Sequence, residues 1–178
     1  MKNSLTFENG KYKASYPYNG LLSQLPTNEK PCMRMMKSLE TKLKKEGLTQ
    51  AFNDNVTDFM NRGIIRWITD VPGIESLQRS YIPLTYALKE GAGVTTKLRI
   101  CGNSSFKTHS GISLNDCMLP GPKYLHSIEG ILLRFRVANQ IGLGDIKNCY
   151  HRISSGPRDA SLRRIFIRPQ GMGVEESD

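Results

Sequence analysis

The residues with the clearest chemical use form one run, Gln140-Ile141-Gly142-Leu143-Gly144-Asp145-Ile146-Lys147-Asn148-Cys149-Tyr150-His151-Arg152-Ile153. It reads as an apolar strand over Ile141 to Ile146 with an aspartate near its end, followed five residues later by an aromatic. Strand ends present side chains into clefts. A carboxylate there can bind Mg²⁺, and a two-metal site stabilises both the attacking and the leaving oxygens of phosphoryl transfer. An aspartate after a strand also caps the next helix, and taken alone the residue favours that use. His151 reads as a surface residue rather than a catalytic base. A zinc site from Cys101, His109, Cys117 and His126 is a weaker candidate, because those spacings match none of the short ligand pairs that close a tetrahedral site.

Charge gives these residues a setting. The chain carries a formal +9, and residues 97 to 168 hold twelve Lys and Arg against four Asp and Glu. Such a block attracts a polyanion with salt-dependent affinity, and on charge alone it equally describes a solvated basic face. Four well-separated cysteines (Cys32, Cys101, Cys117, Cys149) with no C-x-x-C pair fit reduced thiols, hence a cytoplasmic or nuclear protein. No run reaches the roughly 20 apolar residues that span a bilayer, and the N-terminus lacks the apolar stretch of a signal peptide. The expectation is a protein with no membrane partner.

The elements that must position Asp145 follow from periodicity. Residues 1 to 26, rich in Tyr, Pro, Gly and Asn, read as an extended, turn-rich segment. Residues 27 to 63 read as a helical hairpin. Its first helix has Pro31 in the opening turn, Met33, Met36, Leu39 and Leu43 on one face as core, and Lys42, Lys44 and Lys45 before a stop at Gly47. Its second has Phe52, Val56, Phe59 and Met60 on one face and a stop at Gly63. Ile64, Ile65, Trp67 and Ile68 read as a strand with Trp67 in the core, closed by Asp70-Val71-Pro72-Gly73. Tyr81 to Tyr86 and Thr95 to Cys101 make a hairpin about Gly91-Ala92-Gly93, with Pro83 marking an edge or a strand end. Leu125, Ile128, Leu132 and Phe135 mark a helix that exposes Arg134 and Arg136, and Ile165-Phe166-Ile167 a last strand.

Five stretches, in order and at plausible spacing, resemble one family. They are Leu98-Arg99-Ile100-Cys101-Gly102-Asn103-Ser104-Ser105, Gly111-Ile112-Ser113-Leu114-Asn115-Asp116, Gly121-Pro122, Leu132-Leu133-Arg134-Phe135-Arg136 and Asp145 through Ile153. The chain resembles the reverse transcriptase of BEL/Pao-type LTR retrotransposons, over fingers and the first palm segment. The resemblance implies an α+β fold, with an incomplete fingers/palm over residues 64 to 168 and a short connector-like helical segment before it; the tail over residues 169 to 178 resembles nothing in the family. It implies a retroelement RNA-directed DNA polymerase as parent, with Mg²⁺ as cofactor and an RNA or DNA template-primer and dNTP as partners. Asp145 would be the first metal-binding aspartate. Tyr150 would be the aromatic gate under the incoming sugar. Arg99, with Lys97, would reach the triphosphate. Arg134, Arg136 and Arg152 are the cations placed to meet a nucleic-acid backbone.

The sequence departs from the family at three points. Asn103 stands where the family has an acid, and Arg152 where it has glutamine. No Y-x-D-D carboxylate pair occurs up to Asp178, so the expectation is an isolated chain without polymerase activity. The alternative readings are a basic nucleic-acid-binding module and a non-functional remnant of a decayed element.

Overall fold

The computed structural model describes residues 5–8, 10–89, 98–122, 124–137, 139–145 and 149–168. Its architecture is α+β, with two small sheets and two apolar clusters.

Strands β1 (Leu5–Glu8) and β2 (Lys11–Ala14) pair antiparallel about Gly10, whose φ of 74° suits a residue without Cβ. The extended, turn-rich segment thus forms a hairpin. After it, a 3-10 turn over Gly20–Gln24 buries Leu22. Its start is capped by Asn19, whose Oδ1 accepts from the amide of Leu21 at 2.9 Å.

Helix α1 (Glu29–Lys45) and helix α2 (Thr49–Asn61) both end as their glycines predict. At α1, Gly47 has φ 69°, its amide donates to Lys44 O, and the Leu48 amide donates back to Leu43 O. At α2, Gly63 has φ 67°, with Gly63 N to Met60 O and Ile64 N to Phe59 O. Each pair of bonds satisfies two carbonyls that the helix end leaves orphaned. Leu39 and Leu43 are buried from α1, but Met33 and Met35 are exposed, so the methionine stripe is core only from Met36 onward.

Residues 64–68 are not a strand. Ile64 and Ile65 close the end of α2 through bonds to Phe59 O, and Ile68–Asp70 forms a 3-10 turn. Trp67 is 39% exposed rather than core. Strands β3 (Leu84–Leu88) and β4 (Leu98–Gly102) form the expected antiparallel hairpin, with Ala87 opposite Arg99. The first strand begins one residue after Pro83, which lacks the amide a ladder needs. Leu98 and Ile100 point to the side where Leu39, Leu43, Phe52 and Val56 form one cluster, and Arg99 alternates outward.

The second cluster joins Leu22, Leu25, Leu114, Cys117 and Leu162. Asn28 links the two regions. Its side chain accepts from Tyr81 N and donates to Tyr81 O, both at 2.7 Å, as a neighbouring strand would. Helix α3 spans Ile128–Val137, β5 spans Ile153–Ser155 and pairs parallel with β2, and α4 spans Pro157–Ser161. Residues 165–167 are not a strand. Arg164 makes a single parallel bridge to Tyr81, after which Phe166 stacks on the Tyr81 ring at 4.6 Å and Ile167 packs against the α1–α2 cluster. Among the described residues no helix is long and apolar enough to cross a membrane.

Candidate functional site

The residues expected to act together lie in four unlike settings. Arg99 stands exposed in the middle of β4, held by the hairpin that α1 and α2 support. Lys97 lies outside the described residues. Asp145 ends a described stretch, 139–145, that contains no strand and is exposed throughout. The expected strand over Ile141 to Ile146 is therefore absent from 141–145, and Ile146 itself lies outside the described residues. The physical reason is pairing: a strand needs a neighbour for its backbone groups, and 141–145 has none among the described residues. Tyr150 falls in a 3-10 turn, Cys149–Arg152, and is 91% exposed. Arg134, Arg136 and Arg152 are all exposed, and Arg134 is steadied by a 3.2 Å bond from Nε to Gly130 O.

A two-metal site asks for several carboxylates around one cleft. Among the described residues no three His, Cys, Asp or Glu side chains gather where they could hold a metal ion, and Asp145 stands exposed on an unpaired segment. These residues do not fit a two-Mg²⁺ centre by themselves. The zinc alternative fails on the same ground, with Cys117 fully buried and Cys101 exposed.

His151 keeps a surface position yet has a structural contact. Its ring meets Phe59 of α2 edge-on at 5.0 Å, and burial, with the nearby Arg62 charge, pushes its pKa below the usual histidine value.

Two other clusters are built more firmly. In the Ser113-Leu114-Asn115-Asp116 motif, Asp116 Oδ2 accepts from Ser113 N at 2.9 Å and Ser113 Oγ at 2.8 Å. Asp116 N donates back to Ser113 Oγ at 3.3 Å, and Lys107 Nζ sits 3.0 Å from the carboxylate. The Ser113 amide and hydroxyl, then Lys107, hold the Asp116 carboxyl at about 2. Asn115 reaches across to Ser105 Oγ, and Asn103 accepts from Ser105 N at 3.1 Å. The motif is thus a loop clamp. Asn103 serves it as a turn residue, an amide role in which no charge is needed.

The other cluster was not foreseen as a unit. Asp159 is buried, accepting from Tyr18 Oη at 2.8 Å and Tyr16 N at 3.4 Å. Burial and that bond raise the Tyr18 pKa far above the usual tyrosine value. Arg163 lies over the Tyr16 ring at 4.9 Å and donates to Tyr16 Oη and Ser155 Oγ. The signal was Pro157 with Asp159 two residues on, a helix opening, but its partners stand some 140 residues earlier and no local pattern names them.

What the whole arrangement offers is exposed cations on rigid and less supported elements, with one exposed carboxylate. No family model matches the chain, and no curated protein and no solved structure matches it.

Proposed function

We propose that the chain is a fragment of a retroelement RNA-directed DNA polymerase, the BEL/Pao-like fingers and first palm segment. The observation that carries this reading is the set of five ordered motifs from Leu98 to Ile153, ending on Asp145 and Tyr150. The α+β architecture and an exposed Arg99 on a supported hairpin support it. In the intact parent, Asp145 is one Mg²⁺ ligand of nucleotidyl transfer, Arg99 and Lys97 meet the triphosphate, and Tyr150 meets the sugar. The 178 residues by themselves lack a Y-x-D-D pair and do not polymerise.

Primer extension tests both parts. The purified chain should extend no primer with Mg²⁺ and dNTPs. Translation of the nucleotide sequence beyond codon 178 should reveal Y-x-D-D in one frame, and the chain lengthened through it should gain extension that Asp145→Asn abolishes. Extension indifferent to Asp145→Asn, or by the 178 residues alone, sinks the assignment.

A second reading, a basic nucleic-acid-binding module, rests on exposed Arg134, Arg136 and Arg152. It expects affinity for an RNA–DNA hybrid that falls steeply with salt. Absent or salt-independent binding removes it.

A further inference from the structure

Helix α3 is uncovered in a way that its composition does not allow a lone helix to be. Ile128, Ile131, Leu132 and Phe135 follow one helical stripe, while Leu133 and Val137 make the opposite side apolar as well. Ile128, Leu132, Leu133 and Val137 are 55–84% exposed, and among the described residues α3 has at most marginal contact with any other element. A ten-residue helix is marginal in water without tertiary packing, and apolar patches of this kind mark interaction sites.

The charges on α3 select the partner. Glu129 sits in the first turn and Arg136 in the last, a heptad apart and so on one flank of the stripe. Among the described residues neither forms an ion pair. A two-fold antiparallel pair of identical helices keeps like flanks together and reverses their ends. Glu129 of each copy then lies beside Arg136 of the other, the apolar stripes meet, and the helix dipoles oppose. No second protein is needed to complete the pattern.

We propose that α3 is the interface through which two copies of this chain associate, antiparallel, with the Ile128–Ile131–Leu132–Phe135 stripe at the centre and reciprocal Glu129–Arg136 pairs at the ends. Sedimentation velocity on the 178-residue chain, from low to high micromolar, should show a monomer–dimer equilibrium. Leu132→Glu should raise the dissociation constant about tenfold or more, the equivalent of roughly 1.4 kcal/mol. Its circular dichroism should be unchanged, because Leu132 is 55% exposed and belongs to neither apolar cluster among the described residues. Arg136→Glu should also weaken the dimer, and Glu129→Arg added to it should restore association, a rescue that no folding defect mimics. A monomer at every concentration overturns the proposal, including one in which α3 is covered by the exposed apolar face of the chain's own β1–β2–β5 sheet. So does a dimer indifferent to Leu132→Glu, or one in which the double charge reversal gives no rescue.

Discussion

Helices α1 and α3 carry similar apolar stripes and reach opposite ends. In α1, Leu39 and Leu43 sink against Phe52, Val56 and Leu98, and the helix becomes one wall of a packed cluster. In α3, Ile128, Ile131 and Leu132 of the stripe are exposed and Phe135 is only half-buried, and the segment that follows, from Ile141 to Asp145, is exposed as well. Apolar spacing therefore decides what an element is, while the availability of a second surface decides whether it is buried. The β3–β4 hairpin supplies that surface to α1 and α2. Nothing among the described residues supplies it to α3.

The sharpest break of this comparison is Phe52→Ala. Phe52 is 2% exposed between α1 and β4, and emptying that volume should cost about 3–5 kcal/mol, read as a fall in the chemical denaturation midpoint at unchanged slope. A loss under 1 kcal/mol would mean that the cluster is no better packed than α3.

Asn28→Ala comes next. Asn28 is buried and holds both the amide and the carbonyl of Tyr81, so truncation strands two backbone groups. At about 1–3 kcal/mol for an unpaired buried group, the loss should be a few kcal/mol at most, and hydrogen exchange at Tyr81 should rise with it. Protection at Tyr81 unchanged in the variant would show that the side-chain amide of Asn28 is not what holds the backbone there.

These two predictions also show what could be read from residues alone. Helix lengths and stops were legible because Gly47 and Gly63 sit where a left-handed residue closes a helix, a purely local condition. The β3–β4 hairpin was legible from β-branched and aromatic runs on either side of Gly91-Ala92-Gly93, a sequence that itself lies outside the described residues. The strands expected at 64–68 and 165–167 are absent, as is the described part, 141–145, of the one expected at 141–146, because each has strand composition but strands require partners, and partner choice is not local. Of the expected site, Arg99 stands as the alternation of β4 predicts, whereas the cleft around Asp145 depended on the strand that 141–145 does not form. The Asp159–Tyr18 contact is illegible in the sequence for the same reason, since its two halves lie near opposite ends of the chain.

A smaller effect concerns the Ser113–Asp116 clamp. Its carboxyl is held at about 2 against an ordinary 3.8, so the folded form favours the charged state. The resulting stabilisation is present above the ordinary value and is lost as pH falls through that window toward about 2. The Ser113 amide resonance should therefore titrate with a midpoint near 2, and in Asp116→Asn this titration should vanish. A midpoint near 4 would show that the clamp is open in solution.

The smallest expected effect is the most useful for function. Asp145 and Leu143 are exposed on a segment without strand pairing, so Asp145→Asn and Leu143→Ala should each change stability by no more than about 0.5 kcal/mol. Near-neutral results mean that Asp145→Asn can be carried into the lengthened chain as a probe of chemistry alone, since its folding control is already flat. If Asp145→Asn instead destabilises by more than about 1 kcal/mol, the carboxylate is serving a packed surface or a cap, and the distinction drawn between α1's side of the molecule and α3's fails at the residue where it matters most.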